Sequence, residues 1–151
     1  MLDGFLDFHR ETLLEKCAGL SGEQLATRAV PPSTLSLQGL VRHLAGVERW
    51  WFRQHMCGMR LPMLNYSKEN PDLDFDGTDP ARWENDLEVY RTEVAAARDA
   101  VADLPLDALA KGPRGDEISL RWVYLHVIAE YARHNGHADL LRESLDGTTG
   151  W

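Results

Sequence analysis

Apolar side chains recur every three or four residues in the segment from Ser119 to Leu145, near the carboxyl end of the chain. This period describes one face of a long amphipathic helix that packs against the rest of the protein. Ser119 is a suitable N-cap residue, and Gly147 is a suitable residue to end the helix. The apolar positions of this predicted helix are Leu120, Val123, Val127, Tyr131, Ala138, Leu141 and Leu145.

Two more helices are predicted in the first third of the chain. The first helix ends at residues 19–22, and we expect His9, which lies on its apolar face, to be a hydrogen-bonded core residue. The second helix begins at the N-cap Ser36, runs to about Met56 and stops at Gly58. Between them lie a short helical turn and a proline-rich extended link. The apolar stripe of the first helix is Leu2, Leu6, Leu13 and Cys17.

A third helix is predicted to start at Asp79 and Pro80, which are suited to the N-cap and first helical positions. Its apolar stripe carries a single titratable group, the hydroxyl of Tyr90, so this helix is expected to be structural. The apolar positions are Trp83, Leu87, Tyr90, Val94, Ala97 and Val101, while Glu84, Glu88, Glu93 and Asp99 are expected to face water.

Four long amphipathic segments, no convincing strand and one long connection predict an all-α four-helix bundle, formed by a single domain of residues 1–151. The long loop, residues 58–79, lies between the second and third helices, and such loops commonly cover a site. Its three aspartates at positions 72, 74 and 76 resemble the start of a calcium loop, but Trp83 stands where that loop requires Glu. We therefore predict a solvated acidic loop.

The charge, the apolar content and the cysteine count of the chain argue against several classes of protein. The chain has 16 basic and 24 acidic residues, a formal net charge of −8, and no basic block, which argues against binding to nucleic acid. No apolar run approaches the roughly 18 residues of a membrane span. Its two cysteines, Cys17 and Cys57, are too few for a disulfide framework. A soluble cytoplasmic protein is expected.

Glu130 and His134 interrupt the apolar stripe of the last helix, where a core helix would carry leucine. Side chains four residues apart project in parallel, so this pair can bind one ion from one side. A carboxylate placed out of reach of water costs several kcal/mol unless a positive group neutralises it, and a divalent metal ion would do so. His126 lies one turn earlier, and His137 lies nearby on the helical wheel.

The best candidate for a third ligand is His43, at the edge of the buried face of the second helix. Gly39 and Gly46 weaken that helix, which indicates a close approach of another group near His43. Two imidazoles and one carboxylate leave a coordination position open, as in catalytic sites; zinc suits this set, and nickel or iron(II) would also fit. Trp50 and Trp51 are candidates for the wall of the pocket, although tryptophans at this spacing also occur in cores.

Three residues are predicted to surround the metal: His126, His137 and Arg133. The histidines could accept or relay a proton, and Arg133 could bind a substrate carboxylate. The alternative is a buried polar network without an ion, in which Arg133 or Arg42 neutralises Glu130 and a backbone carbonyl satisfies His134.

The segments GLVRHLAGVERWW near position 40 and SLRWVYLHVIAEYARHNGHADLLRE near the carboxyl end resemble the DinB-like and YfiT-like superfamily, in its branch related to mycothiol-dependent enzymes. Many members hold a metal with one His on the second helix and a His-x-x-x-His pair on the last. Here Glu130 takes the first place of that pair, as in the similar mycothiol-dependent maleylpyruvate isomerases.

The resemblance implies a function as well as a fold. It implies a metal-dependent enzyme that uses a low-molecular-weight thiol and an electrophilic substrate, as an S-transferase or an isomerase, with a metal-activated thiolate as the reactive group. Two alternatives use the same three ligands: a hydrolase with metal-bound water, and a non-enzymatic metal-binding or dimerisation module. A homodimer is expected.

Overall fold

Helices make up most of the chain in the computed structural model, which describes residues 1–150. Trp151, the last residue of the predicted domain, lies outside the described residues. The elements are α1 (Leu2–Cys17), α2 (Gly22–Ala26), α3 (Leu37–Glu48), a π-helix (Arg49–Met56), α4 (Leu73–Asp76), a 3₁₀ turn (Pro80–Arg82), α5 (Trp83–Val101), β1 (Leu109–Lys111), β2 (Glu117–Ser119) and α6 (Leu120–Asp146).

The predicted capping residues fix the ends of the helices. The Ser36 hydroxyl accepts a hydrogen bond from the backbone N–H of Gly39, and Ser119 accepts one from that of Trp122. Each cap satisfies a backbone donor that the first turn of a helix leaves unpaired. Gly147 ends α6 with a φ of 77°, a left-handed conformation that glycine adopts without a steric penalty.

The four long helices expected from the sequence are all present, the second as α3 continued by the π-helix. Helix α1 packs along α6, α3 packs along α5, and α3 also contacts α6. The middle of α3 faces the middle of α6, where the predicted ligands lie, since the ring of His43 is 4.7 Å from that of His134. The core that these helices share includes Leu6, Leu13, Leu40, Leu44, Tyr90, Val127, Tyr131 and Leu141.

The chain is mostly helical, which agrees with the predicted all-α class, but it also contains two short strands that the sequence did not reveal. Strands β1 and β2 form an antiparallel hairpin in which Ala110 lies opposite Ile118, and Ile118 is buried. Strands of three residues are too short to show the two-residue period that identifies a strand in a sequence. The hairpin leads directly into α6.

Helix α5 carries buried acidic groups that its sequence pattern did not indicate. Glu93, expected to face water, is only 3% exposed, because Arg49 and Arg53 of the π-helix both donate hydrogen bonds to its carboxylate. Asp86 is also buried and accepts hydrogen bonds from Gln38 and Arg42. The helical period of the sequence placed Glu93 on the solvent face, because a pattern within one helix does not show that arginines of another helix bind the side chain.

A buried ion-pair network joins α1, α3, α5 and α6. Glu48 is fully buried; it accepts hydrogen bonds of 2.8 and 2.7 Å from Arg10 and one of 2.8 Å from the Tyr131 hydroxyl. The Tyr90 hydroxyl lies 2.9 Å from that of Tyr131. A buried charge is tolerated only when it is paired and hydrogen-bonded in this way. The network therefore fixes the position of Tyr131, the residue that follows Glu130.

His9 differs from its prediction as a core residue. The side-chain amide of Asn135 donates a hydrogen bond to the His9 carbonyl and lies 3.5 Å from the ring nitrogen Nδ1, so the expected hydrogen bonding is present, but the ring is partly exposed. The buried polar residue on this face of α1 is instead Arg10.

Within residues 1–150, no helix is both long and apolar enough to cross a membrane. The cytoplasmic location, the homodimer and the lack of nucleic-acid binding stay predictions.

Candidate metal centre

His43, Glu130 and His134 come together between α3 and α6. One ligand atom from each side chain lies within 4.8 Å of those of the other two. His134 Nε2 is 3.5 Å from Glu130 Oε2, as expected for side chains four residues apart on a helix, and the ring centroids of His43 and His134 are 4.7 Å apart. The helix packing thus brings the ligand predicted on the second helix to the pair predicted on the last.

Glu130 is less deeply buried than its position in the apolar stripe indicated. Its side chain is 17% exposed, against 10% for His134 and 29% for His43. The expectation of a carboxylate fully out of reach of water is therefore wrong. The reason is that the centre lies at the edge of the α3–α6 contact, where a small molecule can reach it.

Asp74 orients the imidazole of His43. A carboxylate oxygen of Asp74 lies 2.8 Å from His43 Nδ1, and the Asp74 side chain is only 15% exposed. With Nδ1 bound to Asp74, the free nitrogen of His43 is Nε2. A carboxylate that binds the second nitrogen of a metal-ligating histidine is a recurrent feature of metal sites, because it fixes the tautomer and makes the ligand more basic. Asp74 therefore corrects the prediction of a solvated acidic loop.

The acidic loop is anchored to α3 by Arg42. The Arg42 guanidinium donates hydrogen bonds to the carbonyls of Leu73 and Asp74 and also pairs with Asp86. Arg42 is therefore committed elsewhere, and its predicted alternative role as the partner of Glu130 is wrong.

Phe75 covers His43 from the same loop, with its ring stacked 5.6 Å away. A Cβ atom at Gly39 would lie 2.6 Å from the Phe75 ring, a distance that real Cβ atoms do not show. The close approach predicted at this glycine is thus present, and the loop makes it.

His134 is held as a neutral ligand by its surroundings. Burial, together with the nearby His43, His137 and Arg133, lowers its pKa to about 4. His137 Nδ1 lies 3.3 Å from His134 Nδ1, so one ring donates a hydrogen bond to the other. If His134 is the donor, its Nε2, on the side of Glu130, keeps its lone pair for a metal. In the alternative without a metal ion, a backbone carbonyl was expected to bind His134, but the hydrogen-bond partner of His134 is His137.

The donors around Glu130 stand too far away to satisfy it. His126 Nε2 is 3.8 Å from the Glu130 carboxylate, Arg133 Nη1 is 3.5 Å away and His134 Nε2 is 3.5 Å away. These are ion-pair distances and not hydrogen bonds, and Arg133 is 64% exposed. Ligands around a tetrahedral zinc ion lie about 3.3 Å apart. The Glu130–His134 separation of 3.5 Å is close to this value, His43 lies within 4.8 Å of both, and two imidazoles with one carboxylate are a donor set that suits a divalent cation.

A cavity of about 230 Å³ opens beside His43. The π-helix contributes Trp50 to its wall, while Asn65, Tyr66 and Asp74 come from the long loop. Trp51 points to a different place, where its ring packs 4.4 Å from that of His126. The two tryptophans were predicted to line one pocket, but Trp50 lines the cavity beside His43 and Trp51 packs against His126.

The sequence did not identify Asp74, Asn65 or Tyr66 as site residues. The only available signal was the length of the loop that carries them, which indicated a cover for a site but not which residues it contributes.

A comparison with protein-family models matches residues 1–147 to the family described as mycothiol-S-transferase. No curated protein and no solved structure matches the chain.

Proposed function

The chain belongs to the mycothiol S-transferase family, and we propose that it is a metal-dependent enzyme that transfers the sulfur of a low-molecular-weight thiol to an electrophilic carbon. The observation that supports the metal is the meeting of His43 with Glu130 and His134 within 4.8 Å. In the proposed reaction a carbon–sulfur bond forms, the bond from that carbon to its leaving group breaks, and the thiol proton is released with the leaving group.

His43, Glu130 and His134 would hold the divalent cation, with zinc as the best match and nickel or iron(II) as alternatives. A cation bound there would favour the thiolate form of a thiol at neutral pH. Three protein ligands leave a position open for the substrate. Asp74, 2.8 Å from His43 Nδ1, would keep that imidazole in the tautomer that leaves Nε2 free, and His137, 3.3 Å from His134 Nδ1, would do the same for His134 by accepting its proton.

The cavity beside His43 is the proposed entry of the thiol. Trp50 and Tyr66 supply apolar surface, and Asn65 and Asp74 supply polar groups. The cavity is large enough for the thiol-bearing end of a small molecule and opens directly onto His43.

Neither cysteine of the chain is needed as a nucleophile. Burial raises the pKa of Cys17 to about 12 and also raises the pKa of Cys57. Both side chains are therefore protonated at neutral pH and poorly reactive. The sulfur that reacts must come from the substrate.

The test is a conjugation assay with metal-loaded protein. Zinc-, nickel- and iron(II)-loaded samples are mixed with 1-chloro-2,4-dinitrobenzene and with mycothiol, cysteine or glutathione, and the thioether product is followed by its absorbance. We expect faster product formation with the loaded protein than with the metal-free protein, and loss of this difference in Glu130→Gln. The matched control is Glu143→Gln, an exposed glutamate on the same helix.

Equal rates with loaded and metal-free protein would contradict the proposal. A panel of esters and amides distinguishes the hydrolase, which would cleave them without consuming thiol. An isomerase would convert its substrate while the thiol concentration stays constant.

A further inference from the structure

We infer that a second cavity, next to the metal centre, binds the electrophilic substrate, and that this substrate is an uncharged, planar aromatic molecule. The inference rests on the proposed function for the role of this molecule, but the binding itself can be measured without any thiol.

The cavity lies between the π-helix, the β-hairpin and the first turns of α6. Its volume is about 370 Å³, within the range of about 300–1,000 Å³ of small-molecule sites. Its lining includes Trp51, Trp122, His126, Pro113, Arg114 and Asp116.

Three aromatic rings form one wall of this cavity. The rings of Trp122 and His126 lie parallel, with an interplanar angle of 9° and centroids 4.9 Å apart. Trp51 meets both rings edge to face, at 4.4 Å from His126 and 5.3 Å from Trp122. Aromatic rings favour further rings in stacked and edge-to-face contacts. The wall therefore favours a flat conjugated ligand over an aliphatic one.

Trp122 has a surface that the protein itself does not cover. It is 42% exposed at the start of α6, although its ring is packed against Trp51 and His126. Its uncovered ring is available to a ligand in the cavity, and small-molecule sites are concave and lined mainly by apolar and aromatic side chains.

The charged residues of the cavity favour an uncharged ligand. Arg114 and Asp116 stand on the hairpin that closes one side, and their charges are opposite. Both residues are exposed, so water screens them, and together they give this side of the cavity no net charge. Selection then depends on the aromatic wall.

His126 connects this cavity to the metal centre. It lines the cavity, and its Nε2 is 3.8 Å from the carboxylate of Glu130. The cavity proposed for the thiol is lined by His43, a different member of the centre. Trp50 lines one cavity and Trp51 the other, so the two cavities are separate, and each has in its wall a histidine that belongs to the centre or lies beside it.

The test uses 4-nitroanisole, an uncharged planar ring, with the purified full chain and no thiol present. Calorimetric titration gives its affinity, and 4-nitrobenzoate and cyclohexanone serve as charged and non-aromatic comparison ligands. We expect 4-nitroanisole to bind more tightly than both. Trp122→Ala should weaken it at least tenfold, whereas Tyr66→Ala, an exposed aromatic of the other cavity, should change its affinity less than twofold.

A second measurement holds even if Trp122→Ala folds poorly. In the wild-type protein, 4-nitroanisole should shift the indole N–H resonances of Trp51 and Trp122 in a two-dimensional NMR spectrum and leave those of Trp50 and Trp83 unchanged. No saturable binding, tighter binding of either comparison ligand, an equal effect of Tyr66→Ala, or shifts centred on Trp50 would overturn the inference. Failed thiol conjugation with this binding intact would overturn the proposed function alone.

Discussion

Replacing Asp74 by asparagine tests whether the loop aspartate prepares His43 as a metal ligand. The Asp74 carboxylate lies 2.8 Å from His43 Nδ1 and can only accept a hydrogen bond, so it holds the proton on Nδ1 and leaves Nε2 free. An asparagine amide can donate to Nδ1 instead. That contact would place the proton on Nε2, the nitrogen that has to bind the metal.

The size of the effect follows from the contact and its exposure. Loss of such a partner typically costs 10- to 100-fold in metal affinity. The side chain of His43 is 29% exposed, so water can replace part of the lost hydrogen bond. We therefore expect the lower part of this range, an affinity reduced about 10- to 30-fold, which corresponds to about 1.4–2 kcal/mol.

The assay is a titration with zinc, and with cobalt(II) as a spectroscopic substitute, in competition with a chelator of known affinity. The control is Asp72→Asn, because Asp72 belongs to the same acidic run but is exposed. It should bind metal as the wild type does. Unchanged affinity in Asp74→Asn, or the same loss in Asp72→Asn, would refute the role of Asp74 and leave His43 without the support described above.

Three further predictions concern the candidate metal centre and the buried ion-pair network. Glu130→Gln should lower bound metal from stoichiometric to trace amounts by elemental analysis, while Glu143→Gln retains it; full occupancy in Glu130→Gln would contradict the ligand assignment. Glu48→Ala should lower the free energy of unfolding in urea by about 3 kcal/mol, because Arg10 loses its buried partner and keeps only Asp7, and the Tyr131 hydroxyl loses its acceptor; a loss below about 1 kcal/mol would contradict the network. The metal-free protein should lose up to about 3 kcal/mol of stability between pH 6.5 and pH 4. Burial lowers the pKa of His134 to about 4 in the folded protein, so as the pH falls the unfolded chain takes up the proton first and is favoured. If the stability of a His134→Asn variant falls equally over this range, His134 is not the cause.

The sequence predicted most of the helices and the three residues that meet in the candidate metal centre, and it did so for a local reason. Helical period and capping residues act within one turn, so Ser36, Ser119 and Gly147 could be assigned from their neighbours alone. The spacing of Glu130 and His134 is also a property of one helix. His43 needed an assumption about packing, and the structure brings it to the other two.

Residues whose role depends on a distant partner could not be assigned in this way. Glu93 was expected in water and Asp74 in a solvated loop, yet Arg49 and Arg53 bind the first and His43 lies beside the second. Each of these pairs is separated by 31 or more positions in the chain. A pattern within one segment holds no information about a partner that only folding brings near.

The sequence by itself determined where most of the long helices begin and end and that Glu130 and His134 share one face of a helix, because both follow from contacts within a few residues. Only the tertiary structure decided that Asp74 orients His43, that Glu48 is neutralised by Arg10, and that Trp50 and Trp51 line separate cavities. These outcomes depend on the register with which helices and the long loop pack. That register depends on the close packing of side chains from all the helices together, so no single segment determines it.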